Sequence, residues 1–145
     1  MTTSRAAAFA ALYAASRVSA DVADHWVQTD HQAVTKGKAD RDGRLACLAH
    51  VTSYVATQAA TIATLASVLG IRVTPGKALA AAAISGVTHY VADRRTPVRR
   101  LAEATGKGRF YELGGPLGGA YLLDQATHHT AELVAVAILS TSTQK

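Results

Sequence analysis

Apolar residues recur along this chain in four long stretches separated by charged or glycine-punctuated ones, and their spacing within each stretch is helical. In the first, Phe9, Leu12, Tyr13, Val18 and Val22 lie among alanines, predicting a helix over about residues 4–29 whose second half carries Arg17, Asp21, Asp24 and His25. From His31 to Arg44 the residues are charged, broken by Gly37 and Gly43, and without an apolar period, so this segment reads as a loop. Leu45 to Ile71 carries no Asp, Glu, Lys or Arg and predicts a second helix over about 45–70. His50, Tyr54, Thr57, Thr61 and Thr64 make one polar stripe along it, suited to contact with another helix, while Leu48, Val55, Ile62 and Leu69 occupy another face.

Gly70 and the Thr74-Pro75-Gly76 turn end that helix, and a third is predicted over about 78–94. Arg94, Arg95, Arg99, Arg100, Lys107 and Arg109 then form a basic loop, with Pro97, Gly106 and Gly108 as breakers and room for one short helix. Glycines 114, 115, 118 and 119 lead into a fourth helix over about 117–140. The predicted fold is all-α, an up-down four-helix bundle in a single domain over 1–145.

Composition sharpens this picture. Hydrophobic residues make up 49% of the chain but aromatics only 6%, so the helices should approach closely through alanine. Cys47 is the only cysteine, which rules out an intrachain disulfide and a thiolate zinc site. A charge-free stretch such as 45–71, at ~1.5 Å rise per residue, is long enough for a hydrocarbon layer of ~30 Å. With the basic residues concentrated in the first and third loops, the expectation is a membrane protein, its basic loops cytoplasmic and its neighbours lipid, a helical partner or a second copy. The contrary expectation, prompted by a mean hydropathy of only +0.12 and a net charge of +5, is a soluble or peripheral cytoplasmic regulator that grips nucleic acid through Arg94 to Arg100.

Alternating chain direction has a chemical consequence. It brings the end of helix one, the start of helix two, the end of helix three and the start of helix four to one level. Asp24 and Gln28, His50, His89 and Asp93, and Asp124, Gln125 and His128 fall there. His89 and Asp93 are four apart, as are Asp124 and His128, so each pair projects from one helix face. Imidazoles and carboxylates from adjoining helices suit zinc, manganese or iron. The expected ligands are His50, His89, Asp93, Asp124 and His128, with Gln28 and Gln125 in supporting hydrogen bonds. Asp24 is the candidate base if metal-activated water attacks a phosphoester or related bond. The plain alternative is that these groups tie helices together by buried hydrogen bonds alone.

The motifs Ala23-Asp24-His25-Trp26-Val27-Gln28-Thr29, Leu48-Ala49-His50-Val51, His89-Tyr90-Val91-Ala92-Asp93 and Leu123-Asp124-Gln125-Ala126-Thr127-His128 touch all four predicted helices. In that order they resemble an uncharacterised family of small multi-spanning bacterial and phage membrane proteins, the domain of unknown function 3307. The resemblance implies an inner-membrane protein with a polar signature at Asp24, Gln28, His50, His89, Asp93, Asp124, Gln125 and His128. It implies no reaction. The family tends to carry a histidine one turn before the first aspartate, where this chain has Ala20.

Overall fold

A computed structural model describes residues 4–115 and 117–141. Among these the structure is helical throughout, with no strand. The elements are α1 (Arg5–Val22), a π-helical turn (Ala23–Val27), α2 (Asp30–Thr35), α3 (Arg41–Val68), α4 (Pro75–Asp93), α5 (Thr96–Ala104), α6 (Gly108–Tyr111) and α7 (Gly119–Ser140).

Local chemistry sets the starts of these helices. The Ser4 hydroxyl accepts from the amide of Ala7 at the head of α1, and Thr29 and Gln32 form a reciprocal capping box on α2. The Asp40 carboxylate accepts from the Gly43 amide at 2.7 Å and opens α3. Pro75 and Pro97 stand in the first turns of α4 and α5, where a missing amide hydrogen leaves no gap.

The four long helices pack in the ring order α1, α3, α4, α7 and back to α1. The main apolar cluster joins Ala8 and Leu12 early in α1, Ala66 late in α3, Ala81 early in α4, and Ala135, Val136 and Leu139 late in α7. Helix starts thus meet helix ends, and successive long helices run in opposite directions. Half of the cluster's eight buried residues are alanine, and these small side chains bring backbones together. A Cβ on Gly86 of α4 would lie 3.3 Å from Val55 of α3.

Several boundaries differ from the sequence expectation. The first helix gives way to a π turn at Ala23, where an i to i+5 bond from the Gln28 amide to the Ala23 carbonyl replaces the regular ladder. The segment read as a loop over 31–44 holds α2 and the first turn of α3, because Thr29 and Asp40 supply caps that a search for apolar periodicity overlooks. The third helix begins at Pro75 rather than 78, and the basic segment forms two short helices rather than one. None of the described helices is long and apolar enough to cross a membrane. The spanning expectation therefore finds no support. Helix α3 opens with Arg41, Asp42 and Arg44 and buries His50 and Gln58 along its inner face, which offsets the apolarity of its charge-free stretch.

Candidate metal centre

Each functional side chain reaches the centre by an ordinary helical period. On α1 the buried stripe Ala8, Leu12, Ala15, Ser19 and Ala23 points inward, and Asp24 follows at the start of the π turn. On α3 the buried positions His50, Tyr54 and Gln58 repeat every four residues. On α4 they are Ser85, His89 and Asp93, and on α7 His128, Glu132 and Val136.

Four donor atoms converge. His50 Nε2 lies 3.0 Å from His89 Nε2, 3.2 Å from Asp24 Oδ1 and 3.4 Å from Asp93 Oδ2. His89 Nε2 lies 3.5 Å from Asp24 Oδ1 and 3.2 Å from Asp93 Oδ2. His50, His89 and Asp93 are almost wholly buried. Yet Asp24 Oδ1 and Asp93 Oδ2 have no hydrogen-bond partner among the described residues, despite sitting this close to two imidazoles. Buried carboxylate oxygens are normally paired, so two such orphans aimed at one point are unusual.

Asp124 and His128 flank this tetrad. Asp124 Oδ2 is 3.3 Å from His128 Nε2, which lies 3.9 Å from Asp93 Oδ1. The His128 ring stacks on that of His89, centroids 3.9 Å apart. Gln28 and Gln125 line a cavity of about 440 Å³ above the centre, together with Asp24, Lys36, Asp93 and Asp124. The Gln28 amide nitrogen has no partner among the described residues, so the supporting role expected of it takes no visible form. Asp24, expected as a base, stands as near both imidazoles as Asp93 does.

Electrostatics keep the oxygens ionised. Burial pushes the Asp93 carboxyl up, but His89 and the Lys36 ammonium at 2.8 Å outweigh it and hold the group well below the usual carboxylate range. Asp24 is likewise lowered against the cost of burial, by His50 beside it and by His89, His128 and Lys36. Burial lowers His89 against the pull of Asp93 and Asp24. His128 is raised in spite of burial, chiefly by Asp124. Burial and Asp93 push the Cys47 thiol up to about 11, leaving it inert as a nucleophile.

Beneath the centre runs a polar layer whose pairings sequence reasoning did not give, although Tyr54 falls on the polar stripe of the second helix and Glu132 lies four residues beyond His128 on the same face. The Tyr54 ring packs on His89, centroids 3.8 Å apart, and its hydroxyl donates to Glu132 at 2.7 Å. Arg17 donates to both Glu132 oxygens at 3.1 and 2.8 Å, and Gln58 joins Tyr54, Ser16 and Ser85. The signal was available in the spacing of His50, Tyr54 and Gln58. Thr57 and Thr61 of the polar stripe, by contrast, donate to carbonyls of their own helix, the local back-bonding open to any helical threonine.

Lys36 was also missed as a site residue. It reaches Asp93 because the Arg94 guanidinium donates to the carbonyls of Lys36 and Lys38, holding the 36–38 strap against the end of α4. Arg95 follows with a φ of 61° and donates to the Ala33 carbonyl, its side chain lying across Gly37.

Compared with known proteins, the chain matches no family model, no curated protein and no solved structure. The family resemblance therefore rests on its four short motifs alone, and the site on its geometry.

Proposed function

We propose that this chain is a divalent-metal-binding protein, an up-down four-helix bundle that holds an ion between Asp24, His50, His89 and Asp93. One observation carries the reading: five distances among four donor atoms all fall between 3.0 and 3.5 Å. Ligands about 2.0–2.1 Å from an ion stand about 3.3 Å apart in a tetrahedron and about 3.0 Å apart in an octahedron. A purely structural network explains the same atoms less well. One proton shared between the two Nε2 atoms leaves both carboxylate oxygens without a donor, whereas a cation accepts all four lone pairs. Two imidazoles with two carboxylates suit zinc, manganese or iron.

Asp24 and Asp93 also line the cavity, which is the side from which water and a small substrate would approach such an ion. An ion there would lower the pKa of a bound water toward neutrality, so the chemistry we propose is hydrolysis of a phosphoester or related bond. A nucleic-acid regulator is less favoured, because Arg94 and Arg95 are engaged with the 33–38 backbone and Arg99 pairs with Glu103 and Glu112.

Elemental analysis of the purified chain, beside a His50→Ala, His89→Ala variant whose helicity is checked by circular dichroism, tests the proposal. The expected result is one ion per chain in the parent and none in the folded variant. Equal metal content in the two would remove the proposed site.

A further inference from the structure

Asp93 faces two ways. Its Oδ2 belongs with His50 and His89, while Oδ1 turns toward His128 Nε2 at 3.9 Å and receives the Lys36 ammonium at 2.8 Å. Asp93, Asp124 and His128 form a second group, with one donor atom from each within 4.8 Å of the other two. It shares Asp93 with the tetrad, in the manner of a carboxylate between two ions about 3.5–4 Å apart. Asp93, Asp124 and Lys36 all line the cavity, which therefore lies on the side of this second position.

A cation already sits against that shared carboxylate, and its placement is built into the fold. The Lys36 side chain is only 15% exposed. Its backbone is clamped by Arg94, and the next residue is a glycine over which Arg95 passes; a Cβ there would come within 2.7 Å of the Arg95 side chain. Arg95 crosses it from a left-handed backbone conformation, φ 61°, that residues other than glycine rarely adopt. Such strain persists where the surrounding contacts over-determine it.

We infer that the Lys36 ammonium stands in for a second divalent cation, so that the centre takes one ion where its ligands would otherwise take two. The inference rests on the proposed tetrad site. The ammonium neutralises Asp93 Oδ1 with a single positive charge and occupies the lone pair a bridged second ion needs. Without it, Asp93, Asp124 and His128 form an open three-donor set beside the first ion.

The test loads the full chain with Zn²⁺ or Mn²⁺, removes loose ions by dialysis and counts those retained. The parent is expected to keep one ion and Lys36→Met, an unbranched side chain one atom shorter and without the charge, to keep two. Adding Asp124→Asn to Lys36→Met should return the count to one, and the Mn²⁺-loaded Lys36→Met protein should show the spin-coupled resonance of a close pair. Two ions in the parent, one or none in a folded Lys36→Met protein, or two uncoupled Mn²⁺ ions would overturn the inference. A parent with no ion would instead defeat the tetrad itself, so the two failures are separable.

Discussion

At the scale of single residues, the groups that matter most are buried charges with arranged partners. Glu132 is 2% exposed, and Arg17 grips both its oxygens while Tyr54 donates to one of them from below the centre. Removing one member of a buried pair leaves the other uncompensated, at a cost of about 3–5 kcal/mol. Arg17 is itself about one-fifth exposed, so Arg17→Met is expected at the lower end, near 3 kcal/mol. At about 2–4 °C per kcal/mol for a chain of this size, that is a fall of roughly 6–12 °C in Tm by calorimetry. Tyr54→Phe should cost less, about 1.5–3 kcal/mol for one bond to a charged acceptor. A melting curve for Arg17→Met indistinguishable from the parent would show that the pair contributes nothing. These partners were hard to read from sequence, since Arg17 and Glu132 are 115 positions apart and neither belongs to a motif. The imidazoles and Asp93 were legible because a fourfold spacing on a helix is a local property.

At the scale of elements, the junctions hold the site in place. Gly43 lies inside the first turn of α3, and a Cβ there would fall 2.1 Å from the Lys38 carbonyl oxygen, in the strap that carries Lys36. Alanine normally improves on glycine within a helix by about 0.5–1 kcal/mol. Gly76, in the first turn of α4 with open space around it, should follow that rule. Gly43→Ala should reverse it and destabilise by about 1–3 kcal/mol, the usual cost of overpacking. Denaturant titration of the two variants checks the opposite signs, and a stabilised Gly43→Ala protein would mean that the strap is free to move. The four long helices were visible in the apolar period. The helices of the connecting segments were not, because their stability comes from caps and from contact with the long helices. The π turn at Ala23–Val27 likewise has no periodic signature in the sequence.

At the scale of the whole molecule, folding and protonation are coupled through the centre. Asp93 and Asp24 are lowered in the folded chain, so the stability they contribute is present above roughly pH 4 and lost as pH falls through their folded values. His128 is raised, so its contribution is full below about pH 6.5 and disappears as pH rises through its folded value. With a chelator present, His128→Gln should therefore lower Tm more at about pH 5.5 than at about pH 8.5. A difference that grows with pH would contradict the assigned direction. Zn²⁺ at a hundredfold excess over its Kd should stabilise the parent by about 2.7 kcal/mol, roughly 5–11 °C in Tm. The His50→Ala, His89→Ala variant should show no such gain.

The amino-acid sequence by itself determined the helical class, the four long helices, the alanine packing and the level at which His50, His89, Asp93, Asp124 and His128 meet. All of these follow from period and connectivity, which are local or topological. Tertiary structure alone decided how near Asp24 stands to His50 and His89, that Lys36 bonds Asp93, and that Tyr54, Glu132 and Arg17 form a layer beneath. Those contacts depend on how non-periodic segments fold back and on which side of a helix faces a neighbour, and both are settled only when the elements pack.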